Sequence, residues 1–418
     1  MSETKASPLL VIGAGIAGVT AALEAAEMGS EVVLVEQDPA IGGRVLRINN
    51  YFPKLCPPSC GMEINTRRLE RNPRIRVMTS SKVTAAEKTD GGWAVTVTTA
   101  PAYVNHLCTV CGDCEKACTT EVPDPHNLGL SKVKAIRLPH LNAWPKRYVF
   151  DREAVSEEEA KKIAEACTYG AVDLEATAAT ETIEVGSVVV ATGWHPYPID
   201  NLEELGGGQI QDVIANVHME RMASETGPTG GKIVRPSDNE PPKSVAFVQC
   251  AGSRDVNHLN YCSGICCLAS LKQATYVKEQ LPDAEVTMYY IDRRAPGRNE
   301  DFLLKVAEME GVNLVKGKVG RIEQVNGSIK LHVEDVENVK LIEVEPDLVV
   351  LATGMVPNAL DDDLALFTRK DEEGFVLDDL ESGVTVAGVA RRPEDVAASV
   401  RDATGAAARA VIAAGGRS

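Results

Sequence analysis

A chain of 418 residues, 44% hydrophobic and 25% charged, has material for two or three compact units of ordinary globular composition. Its net charge of −17 argues against a nucleic-acid partner, because phosphate backbones demand basic surface. No apolar run approaches the ~20 residues that cross a bilayer, and an odd total of 11 cysteines does not suit a disulfide framework.

Met1 to Ser7 shows neither the basic nor the apolar region of a signal peptide. With acidity and abundant thiols, this predicts a reducing cytoplasm, any membrane association coming through a partner and not through a span of this chain. Leu9 to Ile12 then reads as a buried strand running into Gly13-Ala14-Gly15-Ile16-Ala17-Gly18, with a helix predicted over Val19 to Met28. Gly29-Ser30 ends that helix, and Glu31 to Val35 forms the next strand, closing on Glu36. Glycines for close backbone approach, a helix N-terminus for the pyrophosphate and an acid for the ribose hydroxyls complete a dinucleotide fingerprint on Gly13, Gly15, Gly18 and Glu36. The fingerprint alone admits FAD or NAD.

Gly42-Gly43-Arg44 follows a few residues later, as in two-dinucleotide flavoproteins, where this loop runs toward the flavin. Cys56 and Cys60 come next, separated by Pro57-Pro58-Ser59. This spacing differs from that of known redox dithiols, so a structural pair is the default and a redox or metal role the alternative.

From about Pro101 to Thr177 the pattern is interrupted by an insertion. It carries Cys108-x2-Cys111-x2-Cys114-x3-Cys118, the bacterial ferredoxin spacing. In such proteins the fourth cysteine of a run points to a second cluster. Val149 to Val172 reads as the remnant of the second run, with Cys167 alone surviving and acidic residues at Glu157-Glu158-Glu159. One cluster is expected here, on Cys108, Cys111, Cys114 and Cys167; closure by Cys118 is the competing reading.

Ser187 to Gly193 and Leu348 to Gly354 repeat one another as apolar strand plus Ala-Thr-Gly. In two-dinucleotide flavoproteins such segments mark where the chain leaves and re-enters the FAD domain. This favours FAD and adds Gly43, Arg44, Thr192, Gly193 and Gly354 to the cofactor-binding candidates. Between them, Ser244 to Val248 reads as a strand and Leu268 to Glu279 as the helix behind it. A nicotinamide unit would join these through glycines. Here the connection carries Cys250, Cys262, Cys266 and Cys267, a C-x11-C-x3-C-C spacing suited to an iron–sulfur cluster. Thiolates alone also admit zinc, but adjacent Cys266-Cys267 has no packing rationale.

A flavin unit with an inserted ferredoxin, the stretch Gly227 to Asp238, and the Cys250 to Cys267 run together resemble the A subunit of heterodisulfide reductase. The resemblance implies an α/β two-dinucleotide-binding flavoprotein: a Rossmann-like FAD domain, a degenerate NAD-type domain and an inserted ferredoxin-like domain. The expected organisation is 1–100, 178–240 and 356–418 for FAD, 101–177 for the insert, and 241–355 for the converted NAD-type unit. The short form is most similar to the branch found in quinone-interacting membrane-bound oxidoreductase complexes of sulfate reducers. That implies FAD and two [4Fe-4S] clusters, and partners that include adenylylsulfate reductase, other redox subunits and a membrane quinone-reactive subunit. No acid–base side chain is expected to carry the chemistry. A self-contained NAD(P)H-dependent oxidoreductase and a non-catalytic FAD-containing scaffold are the rival readings.

Overall fold

The computed structural model describes residues 8–52, 54–358 and 368–415; the segment 1–7, read above for a signal peptide, and parts of 356–418 lie outside them. At its centre is a five-stranded parallel sheet in the order Val384–Val386, Ser187–Val190, Leu9–Ile12, Val32–Val35, Ile75–Met78. Its strands are continuous apolar runs because both faces are covered. Leu9, Leu10 and Val11 are fully buried, and burying each such side chain contributes about 1.5–3 kcal/mol. Helices Ile16–Glu27 and Val396–Gly415 pack together on one face through small residues, among them Ala22, Ala25, Ala403 and Ala407. The first helix begins three residues earlier than the sequence predicts, because Ile16 to Gly18 already take helical conformation after Gly15.

A seven-stranded sheet forms the second centre, in the order Val213–Ala215, Leu348–Thr353, Ser244–Ala251, Glu285–Tyr290, Val312–Val325, Ser328–Asp335, Lys340–Val344. The first five are parallel and the last two pair antiparallel. Strand Ser244–Ala251 runs three residues past its predicted end. Its pairing with Leu348–Thr353 shifts register between Val248 and Ala251, where Cys250 takes a left-handed φ of 57°. Such irregularities re-aim side chains at sheet ends. The parallel five-stranded sheet and the mixed seven-stranded sheet, with a three-stranded antiparallel layer (Ala179–Val185, Gly92–Thr99, Ser81–Thr89), make a mixed α/β two-dinucleotide-binding fold.

Residues 101–177 leave and return side by side. Val104 bridges Val172, and Asn105 N–H donates to the Ala171 carbonyl at 2.9 Å. Two short hairpins (Glu121–Pro123 with Lys132–Lys134, Ile136–Arg137 with Val149–Phe150) and helices Asp113–Ala117 and Glu157–Glu165 enclose a small core of their own. Fully buried Arg221 ties this segment down: Nε donates to Asn127 Oδ1 at 2.8 Å, Nη2 to Thr226 Oγ1 at 3.0 Å and Nη1 to the Arg47 carbonyl at 3.3 Å. Three parts of the chain are thereby fixed by one side chain.

Candidate functional site

The first half of the site lies where the five-stranded sheet ends. Gly13 takes a φ of 96°, and a Cβ there would stand 2.5 Å from the Ala191 carbonyl oxygen. At Gly18 a Cβ would fall 1.7 Å from the Gly13 carbonyl oxygen. These two glycines therefore serve the close crossing of strand, helix and the Ala191-Thr192-Gly193 turn. Gly15 is different: a Cβ there would meet only Gly43 Cα, at 4.0 Å. The space over Gly15 is a cradle open to a ligand.

Around it stand groups suited to a dinucleotide. Glu36 is buried, its carboxylate accepting from Ala14 N–H at 2.6 Å and Asp38 N–H at 2.8 Å, and burial raises it to about 7. The hydroxyls of a ribose would supply the donors a buried carboxylate needs. Thr192 Oγ1 is a buried polar atom without a hydrogen-bond partner among the described residues. Gly43 has a φ of 58° and would collide with Gly15 if given a side chain. Arg44 lies over the Trp194 ring at 5.2 Å and donates to the Trp194 carbonyl; burial lowers it to about 10. Gly193 has a φ of 71°, with the Asn358 N–H on its carbonyl at 3.1 Å. The open space over Gly15, the buried carboxylate of Glu36 and the unpartnered Thr192 hydroxyl fit a dinucleotide such as FAD. Gly354 sits elsewhere, its Cα side pressed against Ser253, Leu259 and Ser263 of the cysteine loop.

That loop is the second half. Cys250 is the last residue but one of the strand Ser244–Ala251, Cys262 follows a turn, and Cys266 and Cys267 open the helix Cys266–Gln280. The helix starts two residues before the predicted Leu268, which places both thiols in its first turn. Burial, and then the charges of Cys250, Cys267 and Cys262, push the Cys266 thiol far above its ordinary range. Burial and then Cys267 raise Cys250 likewise. Gly264 N–H donates to Cys262 Sγ at 3.4 Å, the kind of amide–sulfur bond that stabilises a bound thiolate.

In the 101–177 segment, Cys114 is buried. Burial raises its thiol to about 11, followed by the charge of Cys167, with Cys108 and Cys111 adding to it. Tyr148 N–H points at Cys108 Sγ at 3.5 Å and Ala171 N–H at Cys167 Sγ at 3.3 Å. Cys118 is buried, and its thiol donates to the Thr120 carbonyl at 3.4 Å. Glu159, one of the acids noted in sequence, accepts from both N–H and both hydroxyl groups of Thr119 and Thr120. It fixes the turn after Cys118.

Among the described residues, no three His, Cys, Asp or Glu side chains converge to hold a single metal ion. Thiolates on a four-iron cubane bind different irons and need not meet at one point. Burial raises the Tyr51 hydroxyl, and Cys56 and Cys60 nearby add to it.

The sequence reading missed two groups. Arg254 pairs with Asp292 at 2.8 Å beside Cys250. Lys272 and Glu220, 3.0 Å apart, are buried where the loop following Arg44 meets the helix behind the cysteines. A lone Lys272 amid buried helix positions was the available signal for the second.

Residues 8–47 match the family model described as FAD dependent oxidoreductase. The chain is similar to the A subunit of the H(2):CoB-CoM heterodisulfide,ferredoxin reductase of Methanothermobacter marburgensis, at 35% identity over 96% of this chain and 63% of that protein. It is also similar to an iron-sulfur A subunit of the CoB–CoM heterodisulfide reductase of Methanopyrus kandleri, at 34% identity over 97% of this chain and 64% of that protein. The chain thus spans somewhat less than two thirds of these relatives, which are components of oxidoreductases. In fold it is similar to Lactococcus lactis thioredoxin reductase, with a TM-score of 0.53, 13% identity, and coverage of 98% of this chain and 99% of that one. No helix among the described residues is long and apolar enough to cross a membrane.

Proposed function

We propose that this chain is the FAD- and iron–sulfur-carrying electron-transfer subunit of a heterodisulfide reductase-like complex. Within that class we assign it to the quinone-interacting branch, relaying electrons between a membrane quinone pool and adenylylsulfate reductase. One observation carries the reading. Where a second dinucleotide unit needs glycines, the connection from a sheet end to the start of a helix carries four cysteines instead, in a chain whose first glycine turn leaves a cradle suited to FAD. The similarity to the A subunits of heterodisulfide reductases supports the class. The finer assignment rests on the motif resemblance and on the acidic replacement of ligand positions in the 101–177 segment, which we take as a ferredoxin-like insert with a single [4Fe-4S] cluster.

Bound FAD would supply a two-electron carrier and each cluster a one-electron carrier. The chain's own residues hold and tune them. Gly13, Gly15 and Gly18 admit the pyrophosphate, and Glu36 accepts from the ribose. Arg44 and the Thr192-Gly193 turn close the groove. Cys250, Cys262, Cys266 and Cys267 hold one cluster, Cys108, Cys111, Cys114 and Cys167 the other. The second sheet no longer offers a nicotinamide cradle, so electrons enter and leave through partner chains.

The test is isolation of the native complex by gentle extraction, with its components identified and flavin and iron counted. A quinone-reactive membrane protein in the complex, with one FAD and two clusters on this chain, is expected. A wholly soluble protein with no redox partner, or rapid flavin reduction by NADH alone, would overturn the assignment. Cys262→Ala checks the carrying observation directly and should remove about four irons per chain.

A further inference from the structure

We propose that Arg254 sets the reduction potential of the cluster held by Cys250, Cys262, Cys266 and Cys267, an inference that rests on reading those thiols as cluster ligands. The loop between the first two ligands doubles back to bring this side chain home. Cys250 and Arg254 take left-handed φ values of 57° and 58°, uncommon for residues with side chains. Ser253 N–H donates to the Cys250 carbonyl and Arg254 N–H to the Tyr261 carbonyl, both at 3.1 Å. The guanidinium thereby stays on the cysteine loop, where it meets Asp292.

Asp292 holds it there. Arg254 Nη1 lies 2.8 Å from Asp292 Oδ2, while the Asp292 carbonyl is 3.5 Å from Cys267 Sγ. One residue therefore anchors the cation and touches a second ligand. The Arg254 side chain is 27% exposed, so its charge is screened less than that of a surface arginine. Arg294, two residues beyond Asp292, is exposed.

The chemistry follows from charge. Reducing an iron–sulfur site adds one electron to an already anionic group of thiolates and breaks no bond. A cation beside the site favours the more negative state, and net charge is a recognised lever on cluster potential. Arginine stays protonated throughout, so its effect is independent of pH.

The experiment is an EPR-monitored redox titration of the cluster-loaded full chain, comparing wild type with Arg254→Gln and Arg254→Lys. Glutamine keeps a polar amide at the end of the side chain but carries no charge. Its midpoint should move negative, the reduced-to-oxidised ratio at fixed potential falling about tenfold, or about 59 mV for a one-electron couple. Lysine should recover most of the shift, and the cluster of the 101–177 segment should not move. An unmoved midpoint in Arg254→Gln at the wild-type iron count overturns the proposal. So does loss of this site's iron in both variants, which makes Arg254 a structural part of the loop. Absence of iron at this site in the wild type would instead defeat the reading of the four thiols.

Discussion

Lys272 and Glu220 form an ion pair 3.0 Å long in which each side chain is only 5% exposed. The lysine also donates to the Asn50 carbonyl at 2.5 Å, while the carboxylate accepts from Asn49 N–H at 3.0 Å and Gln273 Nε2 at 2.7 Å. Every charge in the cluster has a partner, which is the condition for tolerating buried ions. It also pins the loop following the Gly42-Gly43-Arg44 turn to the helix that carries Cys266 and Cys267.

Removing one partner leaves the other buried and uncompensated. Lys272→Met should therefore lower unfolding stability by about 3–5 kcal/mol, and Lys272→Met with Glu220→Leu should recover much of the loss. Denaturant unfolding of the single and double variants checks this. A single variant as stable as wild type would show that water reaches the pair.

Glu159 gives a pH-dependent contribution of known sign. Hydrogen bonds from Thr120 and Thr119 hold its carboxyl down at about 2, below the ordinary 4.5. A depressed folded-state pKa stabilises fully above pH 4.5, and the benefit is lost as pH falls from there toward 2. Glu159→Gln should flatten that part of the stability profile and, at neutral pH, cost about 1–2 kcal/mol in the 101–177 segment. Urea midpoints measured at several pH values between 3 and 7 would reveal it; parallel profiles for variant and wild type would refute it.

Much of the architecture was legible because it rests on local patterns. The strands around Leu9, Val33 and Val188 read as apolar runs, and the glycines that follow Leu9–Ile12 announced a tight strand–helix crossing. Boundaries were less legible. Ser244–Ala251 continues through Cys250 because a register shift, invisible in sequence, lets the strand keep pairing with Leu348–Thr353. Gly354 matched the Gly193 pattern, yet its surroundings are Ser253, Leu259 and Ser263, since the two Ala-Thr-Gly segments end different sheets. Long-range pairs such as Arg254 with Asp292 and Lys272 with Glu220 have no local signature. Only tertiary folding brings them together.

The glycines of the nucleotide turn separate binding from folding. Gly15 has an ordinary φ of −73° and open space at its Cβ position. Gly15→Val should fold with stability changed by less than about 1 kcal/mol, yet yield colourless protein, because the side chain fills the cradle. Gly18→Val, driven into the Gly13 carbonyl, should fail to accumulate as folded protein. Absorbance near the flavin bands and thermal melts distinguish the two. Stoichiometric FAD in folded Gly15→Val would remove the cradle assignment.

The last prediction concerns which cysteine completes the cluster site of the 101–177 segment. The sequence offered Cys118, nearest in the run, and Cys167, the survivor of a second run. After burial, the strongest influence on the buried Cys114 thiol is the charge of Cys167, with Cys108 and Cys111 behind it. Ala171 N–H is aimed at Cys167 Sγ, as amides are at ligating sulfurs. Cys118 has another occupation: its thiol donates to the Thr120 carbonyl inside the segment's core, and Glu159 locks the turn around it. Recruiting Cys118 to iron would mean breaking that bond and displacing a carboxylate that accepts from four donors. Cys167→Ala should therefore lose about four irons per chain and the corresponding low-temperature EPR signal. Cys118→Ala should keep both and show only the modest destabilisation of a small core truncation, about 1 kcal/mol. If the signal disappears in Cys118→Ala and persists in Cys167→Ala, the segment closes its site locally and the assignment of Cys167 is wrong.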